Sequence, residues 1–215
     1  MTQPPKLTRG IYAITPGESM DFPQILRRTS ELLQAGISAL QYRDKLCAAQ
    51  ERRERAMALL TLCRAVGTPF LVNDDPALAA AVGADGAHLG ADDPSLEVAR
   101  QLLGPDAIIG VSCYDDAERA CQFSRSGADY VALGAFFPTT TKVPRTFATL
   151  ETLCAVKRRI ARPVVAIGGI TPDNAGALIA AGADMVAVIS SIYGAAEPAR
   201  QIARFKSLYA NTMES

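Results

Sequence analysis

Eight times along this chain a short apolar run gives way to a longer amphipathic segment, and that alternation restricts the fold more than any single motif does. The apolar runs occupy 10–16, 37–43, 69–73, 86–90, 107–112, 130–137, 163–168 and 185–190. Each is rich in Val, Ile, Leu, Ala or Gly, the composition of a parallel strand covered on both faces. Between them, 21–35, 48–66, 76–83, 95–103, 116–126, 150–161, 172–181 and 197–210 read as helices. The segment 51–65 carries Arg and Glu on one side and Met57, Leu59, Leu60 and Leu62 towards the other. Gly36, Gly67, Gly83, Gly104, Gly127 and Gly182 stand where helices should stop, as expected of C-terminal caps. Three closing phrases repeat: Val82-Gly83-Ala84-Asp85, Ser126-Gly127-Ala128-Asp129 and Ala181-Gly182-Ala183-Asp184, each leading into a strand. Eight βα units of roughly 25 residues predict an α/β chain folded as one (β/α)8 TIM barrel. A doubly wound open sheet is the alternative, weakened in its dinucleotide-binding form because no GxGxxG follows the first strand.

The 215 residues suit one such domain, spanning 1–215 with loose ends at 1–9 and about 211–215. Apolar residues make up 49% of the chain, enough for a sizeable core. Lys and Arg number 22, as do Asp and Glu. That balance gives no support to a nucleic-acid or anionic-membrane partner, so any anion site must be a local concentration of cations. Five cysteines, with no CxxC pair, read as free thiols in a reducing compartment. No secretory leader opens the sequence and no run approaches ~20 apolar residues. The expectation is a soluble cytoplasmic protein acting on small molecules, with a homo-oligomer left open.

In a barrel of this kind the active site lies at the C-terminal ends of the strands, and unusual polar residues collect there. Strand two runs into Gln41, Arg43 and Lys45, which alternate and so share one face. If that face looks inward, unpaired cations are costly unless an anion arrives. A phosphate or diphosphate fits, because Arg offers a planar fork and Lys a mobile point charge. A solvated edge strand is the simpler alternative. Strand three ends in Asn73-Asp74-Asp75-Pro76 and strand four leads to Asp92-Asp93-Pro94. Carboxylates at neighbouring strand ends can share a hard cation such as Mg2+. Asp75 and Asp93, each before a proline, also suit helix N-caps, a role that fits Asp74 less well.

Strand five ends at Ser112, a hydroxyl that either meets an anion or caps the next helix. After strand six come Thr139, Thr140, Thr141 and Lys142, a dense set of anion donors. Gly168-Gly169 after strand seven and Ile189-Ser190 after strand eight suit a phosphate cup built from backbone N–H groups, or else two tight turns. His88, the single histidine, lies within a strand and reads as a structural, hydrogen-bonded residue. Zinc hydrolysis is disfavoured without a second histidine, and no Ser/His/Asp or Cys/His set stands out.

QYRDK at 41–45, VNDDPALA at 72–79, DGAHLGADD at 85–93, GVS at 110–112, PTTTK at 138–142, GGIT at 168–171 and VISSI at 188–192 are each modest alone. Their order and spacing together resemble thiamine-phosphate synthases over nearly the whole chain. The resemblance implies a transferase that joins hydroxymethylpyrimidine diphosphate to hydroxyethylthiazole phosphate, giving thiamine phosphate and diphosphate. It implies that Gln41, Arg43, Lys45, Asn73, Ser112 and Lys142 hold the pyrimidine diphosphate, with Tyr42 and Asp44 of the same run counted among the substrate-binding residues. Arg43, Lys45 and Lys142 are implied as the catalytic cations, Asp74 and Asp93 as the Mg2+ ligands. Thr139, Thr140, Thr141, Gly169, Ile189 and Ser190 are implied around the thiazole phosphate. Two departures stand out: 143–149 lacks the Pro-x-Gly pattern of many members, and Tyr114 stands where relatives often have His. A thiazole tautomerase shares the phosphate cup and uses that His, but lacks the full Gln–Arg–Lys set and paired Asp. A non-catalytic phosphometabolite-binding barrel would need neither the Asp pair nor Lys142.

Overall fold

In a computed structural model, which describes residues 7–139 and 146–212, the eight expected strands all form. They are β1 (Gly10–Ile14), β2 (Ala39–Tyr42), β3 (Phe70–Asn73), β4 (Gly86–Leu89), β5 (Ile108–Tyr114), β6 (Tyr130–Gly134), β7 (Val164–Ile167) and β8 (Met185–Val188). They close into a barrel in chain order, each pairing with its neighbours in parallel. The helices are α1 (Phe22–Gln34), α2 (Ala49–Val66), α3 (Pro76–Val82), α4 (Leu96–Leu103), α5 (Ala117–Arg125), α6 (Leu150–Arg159), α7 (Ala175–Ala180), α8 (Ser190–Tyr193) and α9 (Pro198–Asn211). The closed barrel settles the choice against an open sheet.

The differences from expectation lie at element ends. The seventh helix starts at Ala175 because Thr171–Asn174 first make a turn, in which the Thr171 N–H donates to Asn174 Oδ1 at 2.8 Å. The eighth strand stops at Val188 and the chain turns at once into α8, a four-residue helix absent from the sequence reading. Asp75 caps α3 as anticipated, accepting from the Leu78 N–H at 2.8 Å. Asp93 does not cap α4; Ser95 does, accepting from Val98 N–H. Ser112 likewise leaves the next cap to Asp116, which accepts from Arg119 N–H at 2.9 Å. Each such cap contributes about 1 kcal/mol.

Two apolar layers hold the barrel. The outer one packs strand residues such as Leu40, Phe70, Val111 and Val186 against Leu32, Leu59, Leu153 and Phe205 of the helices. The inner one fills the barrel with Tyr12, Ile14, Ala39, Leu71, Ile108, Tyr130, Val165 and Met185. Tyr130 fits because β5 offers Gly110 beside it: a Cβ on Gly110 would lie 1.9 Å from the tyrosine ring.

The three repeated phrases have a common use at the N-terminal end of the strands. Asp85 accepts the Phe70 N–H, Asp129 the Ile109 N–H and Asp184 the Val164 N–H, at 2.8, 2.8 and 2.7 Å. Each aspartate thus latches an even-numbered strand onto the odd-numbered strand before it. Each also pairs with a cation from the helix preceding that odd strand or its neighbour: Arg64, Arg100 and Lys157 at 3.0, 2.7 and 2.7 Å. Charge-assisted bonds to backbone N–H groups are the stronger kind, and here they fix strand register at the bottom of the barrel.

Candidate active site

At the opposite end, the C-terminal ends of the strands surround a cavity of about 220 Å³ lined by residues from Tyr12 to Ser190. Among the residues expected there, Gln41, Arg43, Lys45, Asn73, Asp74, Ser112, Thr139, Gly169, Ile189 and Ser190 all line it. Thr140, Thr141 and Lys142 lie outside the described residues.

One side of the mouth concentrates charge. Strand β2 ends at Tyr42, so Arg43 and Lys45 stand on the loop that follows it rather than on the strand. The loop is pinned by Thr15, whose hydroxyl accepts from the Arg43 N–H at 2.8 Å and donates to the Arg43 carbonyl at 3.0 Å. The Arg43 guanidinium, half-buried, makes no ion pair among the described residues. Lys45 Nζ lies 3.0 Å from Asp74 Oδ2. Asp74 takes a left-handed backbone conformation, φ 65°, with its N–H on the His88 carbonyl at 2.8 Å. Such a conformation is uncommon for a residue with a side chain, though Asp tolerates it better than most.

Asp93 sits beside it. The two carboxyls lie close enough for each to shift the other's ionisation, and Asp93 Oδ2 accepts the Gly90 N–H at 2.6 Å. Burial opposes ionisation of Asp74, but Lys45 and Asp93 outweigh it and hold the carboxyl below the usual range. Burial and the neighbouring Asp74 push Asp93 the other way, against the pull of the Gly90 N–H. Two neighbouring carboxyls whose ionisation is pushed in opposite directions are a pair that a hard cation can bridge.

The cavity base is uncharged but polar. Gln41 Nε2 donates to the Tyr12 hydroxyl at 2.9 Å, and that hydroxyl lies 2.7 Å from the Tyr130 hydroxyl. Tyr130 lies 2.9 Å from His88 Nδ1, and His88 Nε2 lies 2.9 Å from Ser112 Oγ. His88 is therefore the hydrogen-bonded residue expected, yet it also forms cavity wall. Burial pushes its imidazole down to about 4, leaving it neutral at neutral pH.

Across the mouth, backbone replaces side chains. Gly169 has φ 62°, and a Cβ there would meet the Pro138 carbonyl oxygen at 2.3 Å, so only glycine lets the two loops close up. Asn174 Nδ2 donates to the Gly169 carbonyl at 3.0 Å and holds the turn. Ile189 and Ser190 begin α8 beside it. The first N–H groups of a helix have no partner within it.

Three expected residues are not among those lining the cavity: Asp93, which stands behind Asp74 and Gly90 at its rim, and Tyr42 and Asp44, which point elsewhere. Tyr42 is buried in the outer layer between barrel and helices, where its hydroxyl has no hydrogen-bond partner among the described residues. Asp44 pairs with Arg55 at 2.9 Å and accepts the Cys47 N–H at 3.1 Å. Tyr42 alternates with Gln41 on β2 and so faces the other way; Asp44, on the loop beyond the strand, is held away by Arg55 and the Cys47 N–H. Tyr12, Tyr130 and Thr146 line or underlie the cavity and were missed, while Tyr114, noted above only as a departure, lines it too. Tyr12 and Tyr130 read as apolar strand positions, and the signal available was that a buried tyrosine hydroxyl needs a partner.

Residues 11–192 match the family described as thiamine monophosphate synthase. The chain belongs to that family. It is 47% identical to the thiamine-phosphate synthase of Azoarcus sp. (strain BH72), over 94% of this chain and 98% of that one. It is 48% identical to the thiamine-phosphate synthase of Xylella fastidiosa (strain 9a5c), over 97% and 86%. Thiamine phosphate pyrophosphorylase from Pyrococcus furiosus has the same fold, with a TM-score of 0.84 and 33% identity over 99% of this chain and 100% of that one. Membership of this family, with relatives named thiamine-phosphate synthase over nearly the whole chain, makes this barrel a transferase of thiamine biosynthesis. Among the described residues no helix is long and apolar enough to cross a membrane.

Proposed function

We propose that the cavity joins hydroxymethylpyrimidine diphosphate to hydroxyethylthiazole phosphate, forming thiamine phosphate and releasing diphosphate. The observation that carries this reading is the division of the mouth. Arg43, whose guanidinium makes no ion pair among the described residues, suits a diphosphate on one side together with Lys45, Asp74 and Asp93, and the Gly169–Ile189–Ser190 backbone suits a monophosphate on the other.

The bond that breaks joins the pyrimidine methylene to the diphosphate oxygen, and its electron pair leaves with the diphosphate. The lone pair of the thiazole nitrogen forms the new bond to that methylene. The aminopyrimidine ring delocalises the positive charge between these events, so no protein nucleophile is required. Arg43, Lys45 and Lys142 supply fixed positive charge where negative charge develops, and such preorganised groups are usually the largest catalytic terms. Asn73 and Gln41 orient the pyrimidine end. The inner apolar layer below the mouth, with Ile14, Val165 and Ala187 in the cavity wall, excludes water that would otherwise capture the methylene.

Asp74 and Asp93 fit Mg2+, which commonly takes one or two carboxylates and completes its shell with waters and phosphate oxygens. When bound there it would neutralise charge on the departing diphosphate. Cys47, Cys63, Cys113, Cys121 and Cys154 are all free, in keeping with a cytoplasmic setting. Thr139, Thr140 and Thr141 complete the thiazole phosphate site in this reading. The test is formation of thiamine phosphate from the two substrates and Mg2+ by the purified protein. Product that disappears on replacing Lys142 or Arg43 supports the assignment; full turnover by a Lys142→Ala variant contradicts it.

A further inference from the structure

The hydrogen-bond chain across the cavity base runs without a gap from Gln41 through Tyr12, Tyr130 and His88 to Ser112. Each of its four links takes one hydrogen. The Gln41 amide fills the first. Tyr12, Tyr130, the singly protonated imidazole and Ser112 then hold one hydrogen each for the three links that remain. One hydrogen is left over, and where it sits fixes the direction of the whole chain.

A surplus hydrogen on Tyr130, which is 0% exposed and does not line the cavity, would be a buried donor without an acceptor; Tyr12 does reach the cavity wall but at 2% exposure gives a hydrogen far less room to meet a ligand than Ser112 does. His88 has both ring nitrogens engaged by hydroxyls, not by carboxylates. Ser112 alone in the chain is only half-buried, and it opens on the cavity. Unmade hydrogen bonds are the costly kind, so the surplus belongs at Ser112. Tyr12 then donates to Tyr130, Tyr130 to His88 Nδ1, and His88 Nε2–H to Ser112 Oγ.

We infer that Tyr12 and Tyr130 are positioning residues that hold His88 as its Nε2–H tautomer and thereby make Ser112 present its hydroxyl hydrogen to the ligand. The ligand atom seated at Ser112 is then an acceptor. The cations lie at the mouth and the base is uncharged, so that acceptor is a neutral ring nitrogen and not a phosphate oxygen. Naming the ring as the pyrimidine rests on the proposed function; the direction of the chain does not.

His88 is the single histidine of the chain, so its ring nitrogens can be read directly by NMR of protein labelled with 15N-histidine. The free wild-type protein at neutral pH should show a protonated Nε2 and a bare Nδ1. A Tyr130→Phe variant keeps the ring but loses the donor to Nδ1. It should populate both tautomers and lose roughly tenfold or more in kcat/KM for the pyrimidine diphosphate, with KM for the thiazole phosphate unchanged. Tyr12→Phe, one link further away, should move both readouts in the same direction and less. A wild-type Nδ1–H tautomer would overturn the inference, since the chain would then run the other way and Ser112 would accept. An unchanged tautomer and kcat/KM in a folded Tyr130→Phe variant would overturn it too. The wild-type spectrum needs neither turnover nor a variant. An Nε2–H ring in a protein that fails to couple the substrates would therefore uphold the chain and overturn only the proposed function.

Discussion

At the bottom of the barrel Asp85, Asp129 and Asp184 each accept a backbone N–H and each face a cation. At the mouth Asp74 and Asp93 face each other, Lys45 answers only one of them, and Arg43 pairs with nothing among the described residues. The same residue types serve both ends. Charges at the bottom are matched within the fold and fix strand register. Those at the mouth are matched less fully among the described residues, and in the proposed function a ligand of the right charge completes them. The general division of this architecture between a stabilising face and a reactive face is thus visible here in how individual carboxylates are satisfied.

That contrast predicts opposite responses to similar substitutions. The largest effect is expected for the proposed catalytic cations. Arg43→Ala and Lys142→Ala should each lower kcat by ~10²-fold or more, as removal of a charge-stabilising donor does elsewhere, with the thermal midpoint almost unmoved. Asp74→Ala should abolish metal-dependent turnover likewise without loss of stability; a large fall in melting temperature would break the comparison. At the bottom, Asp85→Ala strips the Phe70 N–H of its acceptor inside the fold. It should cost about 1–3 kcal/mol, read as roughly 2–4 °C in melting temperature for each kcal/mol, with kcat near wild type. Arg64→Ala, removing the half-exposed partner of Asp85, should cost less than ~1 kcal/mol by the same measurement.

The smallest effect belongs to the exposed Glu118–Arg159 pair on the outside of α5 and α6. Arg159 holds the Glu118 carboxyl below the usual range. Its contribution is therefore present above the ordinary glutamate range and is lost as pH falls through the depressed value. Glu118→Gln should leave the melting temperature at neutral pH nearly unchanged, and should slightly flatten its decline in acid.

The fold was legible because its period was. Eight apolar runs separated by helices admit few closed arrangements, and the glycine stops together with Asp75 marked most boundaries. The ends that went astray depended on contacts outside the local sequence. Nothing in Thr171-Pro172-Asp173-Asn174 distinguishes a first helical turn from the Asn174-held turn observed, and nothing before Ser190 announces α8. In the site, alternation along β2 separated Gln41 from Tyr42, but beyond the strand end it was the Thr15 bonds to Arg43 and the Arg55 pair with Asp44 that sorted the loop residues. Asp93 was readable either as a cap or as a site residue, and only the position of Ser95 resolved it. The tyrosines were invisible as polar residues because the links Tyr12–Tyr130 and Tyr130–His88 join positions 118 and 42 residues apart.

The central claim is that the divided mouth couples a diphosphate-bearing pyrimidine to a thiazole phosphate. Purified protein should be mixed with hydroxymethylpyrimidine diphosphate, hydroxyethylthiazole phosphate and Mg2+, with an EDTA control, and the products separated. Thiamine phosphate and diphosphate in equal amounts, absent with EDTA and restored by added Mg2+, is the predicted result. No product from folded protein, or product formed equally well in EDTA, would contradict it.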